Sequence, residues 1–191
     1  MTEIMSPQVG RTGGQPSAAT GAVVVMGVCG CGKSTVGRGI ADRIGCAFLE
    51  GDAFHPAANV AKMSSGHALE DADRWPWLDT LGTVLGAAAR EQGSAVAACS
   101  ALKRAYRDRL TEAAGMPVRF VHLAGAPELL AARMSARQDH FMPPGLLDSQ
   151  LATLEAPQAG EAALTLDVAQ PPERLLGAAV AWLTGPHQPG P

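Results

Sequence analysis

Residues 21–35 read GAVVVMGVCGCGKST, a run of small apolar residues that breaks into a glycine-rich turn. Within it, residues 27–34 follow the pattern G-x-x-x-x-G-K-[ST], in which backbone N–H groups surround the oxygens of a bound phosphate. The apolar run before the turn predicts a buried strand, and residues 33–44 after it predict a helix, whose N-terminus favours a negative charge. The stretch therefore predicts a strand, a phosphate-binding loop (P-loop) and a helix that together bind the phosphates of a nucleotide.

The residues of this loop are predicted to bind the phosphates of a nucleotide and Mg²⁺. Lys33 is expected to reach the β- and γ-phosphates and to act in catalysis, while the Ser34 hydroxyl is expected to bind Mg²⁺. Cys29 and Cys31 are expected to serve as small side chains, with a redox role as the lesser alternative. The other predicted nucleotide-binding residues of the loop are Gly27, Val28, Gly30, Gly32 and Thr35.

The composition fits one ordinary domain. The chain has 191 residues, of which 47% are apolar, and this is enough for one sizeable core. Its formal net charge of −3 gives no broad basic surface, so nucleic-acid binding is not indicated. No apolar run approaches the ~20 residues that cross a bilayer, and the chain does not begin with a basic and then apolar leader. We therefore expect a cytoplasmic protein without nucleic-acid or membrane partners.

The order of predicted elements indicates an α/β fold. Residues 1–20 and 185–191 are rich in polar residues, Gly and Pro and predict disordered tails around one P-loop domain, residues 21–184. The alternation of strands and helices predicts a parallel sheet of about five strands with helices on both faces. Predicted strands lie at residues 22–26, 47–49, 95–99, 118–123 and 163–168. Predicted helices lie at residues 33–44, 78–90, 127–136, 146–154 and 172–183, with a further charged helix after Ser100.

A polar segment at residues 51–78 follows the second predicted strand. Asp52 comes directly after that strand, at the edge of the sheet where ligands of open α/β folds bind, so we expect it to face the P-loop. Pro56 and Gly66 interrupt the polar residues, and this predicts substrate-covering loops and short helices up to residue 77. The segment's functional side chains include His55, Asn59, Lys62, Asp71, Asp73, Arg74, Trp75 and Trp77.

Three classes of P-loop protein compete for this pattern. A GTPase needs an N-K-x-D motif, and the chain has a single asparagine, Asn59, which is not followed by Lys. Transport and motor ATPases have an apolar strand that ends in Asp, whereas the candidate strands here end in Cys99-Ser100 and Leu123-Ala124. A small-molecule kinase instead needs an acceptor site and an arginine-bearing lid. Arg133 and Arg137, four residues apart before a proline-rich loop, favour a kinase with a lid at residues 133–145.

Three segments resemble thermoresistant-type gluconokinases. Residues 51–78, GDAFHPAANVAKMSSGHALEDADRWPWL, resemble the acceptor segment of that family; residues 99–108, CSALKRAYRD, resemble a second block, and residues 133–141, RMSARQDHF, its lid. The likeness covers about residues 23–183, with cysteines in the P-loop where serines are commoner and a Met-Pro-Pro sequence in the lid. It implies a fold of the nucleoside-monophosphate and shikimate kinase type, and transfer of the γ-phosphoryl of Mg-ATP to the 6-hydroxyl of D-gluconate.

This resemblance and the residue chemistry suggest roles in the acceptor site. We expect Asp52 to orient or deprotonate the attacking hydroxyl and to touch Mg²⁺ through water, with helix capping as the alternative. Arg74 is the first choice for gripping the gluconate carboxylate, because a guanidinium binds a carboxylate at two points. Lys103 and Arg107 are the second choices. His55 is expected to hydrogen-bond sugar hydroxyls, with a structural contact as the alternative.

The resemblance also implies roles around the nucleotide. Of the two lid arginines, Arg133 is assigned to the adenine and Arg137 to the transferring phosphate, and the sequence leaves the exchange of these roles open. His140 is a candidate substrate contact in the lid, with an exposed loop histidine that has no role as the alternative. Pro171 is a candidate part of the adenine wall.

Two other functions stay open on sequence alone. One is another small-acceptor kinase of the same fold, such as a shikimate kinase. Its substrate also carries a carboxylate and hydroxyls, so Asp52 and Arg74 would have similar roles. A regulator that binds nucleotide without turnover would leave the acceptor segment and the lid arginines without a purpose. The family often forms dimers, so a homodimer is compatible with the sequence, which shows no interface.

Overall fold

One parallel sheet forms the centre of this computed structural model, which describes residues 20–136 and 145–185. Its strands are β1 (Gly21–Met26), β2 (Ala47–Glu50), β3 (Ser94–Ala98), β4 (Val118–Ala124) and β5 (Ala163–Asp167). Its helices are α1 (Lys33–Ile44), α2 (Ala57–Ser64), α3 (Asp71–Gln92), α4 (Arg104–Ala114), α5 (Pro127–Ser135), α6 (Gly145–Thr153) and α7 (Pro172–Thr184), with a short 3₁₀ helix at Gly51–Phe54.

The strand order β2-β3-β1-β4-β5 places β1 in the middle of the sheet. Every neighbouring pair of strands is parallel, as the alternation of strands and helices predicts. The chain leaves β1 toward β2 and β3 on one side and reaches β4 and β5 on the other. In open α/β sheets, ligands bind outside the carboxyl ends of the strands at such a reversal, so the loop after β1 occupies the expected ligand position.

Two hydrophobic cores cover the two faces of the sheet. Val23 and Val25 of β1 belong to the core that includes α1 and α7, whereas Val24 belongs to the core beneath α3 and α4. All three valines are fully buried. A strand buried on both faces has a continuous apolar sequence rather than an alternating one, which explains the valine run. No helix within the described ranges is long and apolar enough to cross a membrane.

The helix α3 begins earlier than the sequence predicts. Its apolar spacing predicts a start at residue 78, but the helix begins at Asp71 and contains Pro76 in its second turn. The start is fixed by a capping box, in which Glu70 and Asp73 exchange side-chain and backbone hydrogen bonds. This correction places Arg74 on the rigid first turn of a long helix rather than in a loop.

The predicted tails are mostly outside the described residues. The exception at the N-terminal side is Thr20, which is 5% exposed and hydrogen-bonded through both its backbone N–H and its hydroxyl to the Ser94 Oγ. The folded part of the chain therefore includes Thr20, one residue before the predicted boundary.

Replacing Gly86 with Ala is expected to destabilise the protein by about 1–3 kcal/mol, the usual cost of overpacking. A Cβ at Gly86 would lie 2.1 Å from the Ala114 carbonyl oxygen, because α3 and α4 pack closely there. Gly177 in α7 is the matched control: a Cβ there meets nothing within 4 Å, so Gly177→Ala is expected to stabilise by up to ~1 kcal/mol. Urea denaturation measures both changes, and equal stability of the two variants would contradict the packing argument.

Candidate active site

The P-loop has the backbone conformation that its glycines permit. Gly32 has φ 95°, and a Cβ there would meet nothing within 4 Å, so the loop opens toward solvent at this point. Gly27 has φ 143°, and a Cβ there would lie 2.7 Å from the Leu123 carbonyl oxygen. The loop therefore needs glycine at position 32 for its backbone conformation and at position 27 for close packing against the backbone of β4.

The first residues of α1 present a cation and two hydroxyls beside the loop. Lys33 is half-buried, and its Nζ donates to the Val28 carbonyl oxygen at 3.1 Å. Ser34 and Thr35 are exposed, and no side chain caps the N-terminus of α1 among the described residues. The N–H groups of this helix start are thus open to an anion. The residues present fit the phosphates of ATP, which P-loop kinases use.

Asp52 lies at the carboxyl edge of the sheet, where contacts of the preceding residue, Gly51, fix the backbone. The Trp77 indole N–H donates to the Gly51 carbonyl oxygen at 2.8 Å, and a Cβ on Gly51 would lie 2.1 Å from the Ala98 carbonyl oxygen. The Asp52 side chain is exposed and makes no hydrogen bond or ion pair with another described residue. The 3₁₀ helix that contains Asp52 has Glu50 as its N-cap, so the capping alternative gains no support.

Three charged side chains affect the pKa of the buried Cys99 thiol, which lies just after β3 at the carboxyl edge of the sheet. Burial raises the pKa of its thiol most, the Asp52 carboxylate raises it further, and the Lys33 and Arg74 cations lower it. For all three groups to act on one thiol, they must lie around the end of β3. The structure therefore brings the P-loop lysine together with the predicted acceptor-site residues Asp52 and Arg74.

His55 is placed against the same group of charges. Its ring stacks on the Trp77 indole with the ring centroids 4.0 Å apart. Burial lowers the pKa of His55 most, while nearby Asp52 raises it and Arg74 lowers it. The Asn59 Nδ2 lies 3.4 Å from the His55 Nδ1, which leaves Nε2 as the ring nitrogen that can hydrogen-bond a sugar hydroxyl.

The Arg74 guanidinium lies over the Tyr106 ring, with its central carbon 5.5 Å from the ring centroid. One terminal nitrogen donates a long hydrogen bond, 3.4 Å, to the Leu69 carbonyl oxygen. The Arg74 Nε is buried and has no hydrogen-bond partner within residues 20–136 and 145–185. A buried charged donor is costly to leave unpaired, so this nitrogen is a strong candidate to bind a ligand oxygen.

Two ion pairs flank Arg74 on the first turn of α3. The Lys103 Nζ donates to both Asp71 carboxylate oxygens at 2.8 Å, and the Lys62 Nζ donates to Asp73 at 2.6 Å. These hydrogen bonds lower the pKa of each aspartate, most strongly through the lysine contact. Lys103 thus lies close to the predicted site, with its charge balanced by Asp71. Asp71 and Asp73 are among the functional side chains that the sequence indicates in this segment, but the sequence does not predict that they pair with these lysines.

Arg107 is placed differently from the prediction. It is 1% exposed, and its Nε and one terminal nitrogen donate to the Glu161 carboxylate at 2.6 and 3.0 Å. Its other terminal nitrogen donates to the Glu155 carbonyl oxygen at 3.0 Å. The guanidinium is therefore fully engaged inside the protein, and its expected role as a second-choice grip for a substrate carboxylate is corrected to a structural one.

The lid arginines are only partly described. A terminal nitrogen of Arg133 donates to the Val168 carbonyl oxygen at 2.8 Å, which holds this arginine against the loop that follows β5. Pro171, in that loop, is the exposed N-cap of α7. Arg137 and His140 lie outside the described residues, so their roles stay predictions.

No group of three or more His, Cys, Asp or Glu side chains forms a metal site in the part of the chain that the structure describes. The predicted Mg²⁺ contacts are Ser34, in the first turn of α1, and Asp52, just after β2. Mg²⁺ in kinases is commonly held by few protein groups together with water and substrate phosphates, and this donor set fits that type of site.

Comparison with known proteins identifies the family. Residues 23–157 match the family described as AAA domain. The gluconokinase of Gluconobacter oxydans is 47% identical over 154 residues, which cover 81% of this chain and 86% of that protein. The thermoresistant gluconokinase of Escherichia coli K12 is 40% identical over 159 residues, which cover 82% of this chain and 90% of that protein.

Solved structures agree with the sequence relatives. A gluconokinase from Sinorhizobium meliloti superimposes with a TM-score of 0.78 and 48% identity, covering 86% of this chain and 92% of that one. A shikimate kinase from Acinetobacter baumannii, at a TM-score of 0.52 and 16% identity, shares the fold alone. The fold predicted from the sequence is confirmed, and the chain belongs to the gluconokinase family of P-loop kinases.

Proposed function

We propose that this protein transfers the γ-phosphoryl group of Mg-ATP to the 6-hydroxyl of D-gluconate, giving 6-phospho-D-gluconate and ADP in the cytoplasm. Family membership supports the reaction. The single structural observation that supports an anionic acceptor is the buried Nε of Arg74, which has no partner among the described residues and lies near Asp52 and His55. A carboxylate oxygen would satisfy this nitrogen with a charge-assisted hydrogen bond.

The nucleotide side of the site is formed by the P-loop and the start of α1. Lys33 places its charge against the β- and γ-phosphates, and the loop N–H groups bind their oxygens. Ser34, and Asp52 through water, would hold Mg²⁺, which neutralises part of the phosphate charge. Arg133 would lie at the adenine side, since it is bonded to the loop after β5. Arg137 is proposed to meet the transferring phosphate and His140 the substrate.

The acceptor side must hold a six-carbon acid by its two ends. The carboxylate at one end suits Arg74, whereas the 6-hydroxyl at the other end must approach the P-loop. Asp52 is exposed at the edge of the sheet next to the loop and accepts the hydroxyl proton as the oxygen attacks phosphorus. Because phosphoryl transfer needs little covalent chemistry from the protein, this alignment of hydroxyl and phosphate supplies much of the rate.

The ion pairs on α3 fix the direction of Arg74. Lys103 with Asp71 and Lys62 with Asp73 tie the first turn of α3 to α4 and α2. Both pairs are partly exposed, so each contributes little to stability. We assign them a positioning role, in which they hold the backbone that carries Arg74.

The test of this function is ADP release with Mg-ATP against a panel of acceptors: gluconate, shikimate, glycerate, nucleoside monophosphates and no acceptor. We expect turnover with gluconate alone and 6-phosphogluconate as the product. Turnover with shikimate or glycerate instead would keep the P-loop and Asp52 assignments and refute the acceptor. Tight ATP binding without any acceptor-dependent turnover would favour the regulatory alternative.

Replacing Arg74 with Lys is expected to raise the KM for gluconate by about 10- to 100-fold, because an ammonium cannot form the two-point contact of a guanidinium. The KM for ATP is expected to stay within about twofold, since Arg74 lies on the acceptor side. Arg109→Lys is the matched control, because Arg109 is 42% exposed and pairs with Asp79 on the surface. An unchanged KM for gluconate in Arg74→Lys would refute the carboxylate grip.

A further inference from the structure

One N–H group of the P-loop is bonded to a side chain from a distant helix. The Cys29 backbone N–H donates to the Gln150 Oε1 at 2.7 Å, across 121 residues of sequence. Cys29 is the third residue of the eight-residue loop motif, and Gln150 lies in α6. Since the other N–H groups of this loop are the ones expected to surround phosphate oxygens, the Gln150 carboxamide lies beside the predicted phosphate-binding site.

This hydrogen bond fixes which way the carboxamide faces. A backbone N–H can donate only to the oxygen of the group, so the Gln150 nitrogen must lie on the other side. That nitrogen, Nε2, has no hydrogen-bond partner among the residues that the structure describes. Gln150 therefore holds two uncharged N–H donors next to the P-loop, and neither of them bonds to another described residue.

The helix that carries Gln150 is fixed at both its core face and its end. Leu147 is 5% exposed and shares a hydrophobic core with Cys29. Just after α6, the Glu155 backbone N–H donates to the Leu102 carbonyl oxygen at 2.9 Å, and the Glu155 carboxylate accepts from the Arg104 N–H at 2.7 Å. Because these contacts hold α6 to the start of α4, the carboxamide position is set before any ligand binds.

The P-loop is held from a second helix as well. The Cys29 thiol contacts the Met134 sulfur of α5 at 3.3 Å, and a Cβ on Gly30 would lie 2.8 Å from the Met134 Cγ. The loop residues next to Gln150 thus have little room to shift. A donor held by such a loop meets the main condition for stabilising a developing charge, which is that it needs no reorganisation.

We propose that Gln150 binds the phosphoryl group that is transferred: its Oε1 stays bonded to the Cys29 N–H while its Nε2 donates to an oxygen of the terminal phosphate. The inference rests on the proposed ATP-dependent phosphoryl transfer and adds a residue to it. Charge spreads over the equatorial oxygens of the phosphoryl group during transfer, and Lys33 meets only part of it. Gln150 supplies a further, neutral donor at a fixed position.

Two substitutions separate this role from a structural one. Gln150→Glu keeps an acceptor for the Cys29 N–H but removes both donors and adds a negative charge beside the phosphates. Gln150→Ala removes the acceptor and the donors. We expect kcat to fall about 10- to 100-fold in Gln150→Ala, the usual loss for a hydrogen bond to a charged group, and further in Gln150→Glu, with the KM for gluconate unchanged in both. Wild-type kcat in Gln150→Glu together with loss in Gln150→Ala would show that the bond only holds the loop.

A binding measurement without acceptor keeps the inference separate from the choice of substrate. Calorimetry should show that Gln150→Glu weakens ATP about tenfold more than it weakens ADP, because only ATP has the terminal phosphate. Gln92→Glu, the same change at an exposed site at the end of α3, should leave both affinities unchanged. An equal effect of Gln150→Glu on ATP and ADP, or tighter ATP binding in Gln150→Ala, would overturn the inference. If the wild-type protein does not phosphorylate gluconate but this selective loss of ATP affinity is seen, only the proposed substrate fails.

Discussion

Asp52→Asn is expected to lower kcat by about 10³-fold, within the range for loss of a general base, while the fold stays intact. The amide has the size of the carboxylate but cannot accept the hydroxyl proton. The Asp52 side chain is exposed and bonded to no other residue in the described ranges, so its replacement removes no structural contact. The loss should therefore appear in kcat rather than in the melting temperature.

Steady-state kinetics with saturating gluconate and Mg-ATP measure this effect. Asp42→Asn is the control, because Asp42 is exposed on α1 and the change in charge is the same. Binding of ADP without Mg²⁺ should be nearly unchanged in Asp52→Asn, since Asp52 faces the acceptor rather than the loop N–H groups. If Asp52→Asn retains more than about a third of the wild-type kcat, Asp52 is not the base.

Local patterns were sufficient for most of the fold. The predicted helix at residues 33–44 is observed with these bounds as α1, and the predicted strands lie within one residue of those observed. These elements are determined by short-range signals, namely a fully buried apolar strand, a P-loop glycine and a helical period. The placement of Asp52 at the edge of the sheet likewise follows from its position directly after β2.

Contacts between distant residues were not predictable from those patterns. The start of α3 depends on a capping box at Glu70, which the apolar period does not show. Arg107 looks like a surface arginine of a charged helix, and its partner Glu161 lies 54 residues later. Gln150 has no motif of its own, and its significance appears only when α6 is packed against the P-loop. Each of these requires knowledge of which elements meet in space.

Arg107→Met is expected to lower the free energy of unfolding by about 3 kcal/mol, because it leaves the Glu161 carboxylate unpaired in the interior. The Glu161 side chain is 8% exposed and Arg107 is 1% exposed, so water replaces little of the lost contact. The Glu155 and Ala101 carbonyl oxygens lose a donor in the same variant. Met retains most of the apolar volume of the arginine stem, so the effect reports the lost polar contacts rather than a cavity.

The double variant Arg107→Met with Glu161→Leu tests the cause. Removing both partners leaves no unpaired buried charge, so we expect it to recover a substantial part of the lost stability relative to Arg107→Met alone. At a temperature where Arg107→Met is folded, its KM for gluconate should equal that of the wild type. A raised KM with unchanged stability would instead restore Arg107 as a substrate contact.

The same ion pair also affects stability at acid pH. The hydrogen bond from Arg107 is the largest cause that lowers the pKa of Glu161 below its ordinary value of 4.5. A carboxylate whose pKa is lower in the folded state binds fewer protons there than in the unfolded state, so its contribution is full above about pH 4.5 and is lost as the pH falls through the folded value. The free energy of unfolding of the wild type should therefore decrease as the pH falls below about 4.5. The double variant lacks Glu161, so its free energy of unfolding should decrease less over the same range. Urea denaturation between pH 7 and pH 3 measures the free energy of unfolding of both proteins, and we expect the two values to differ less at pH 3 than at pH 7. A difference that stays constant with pH would mean that Glu161 is not paired in solution.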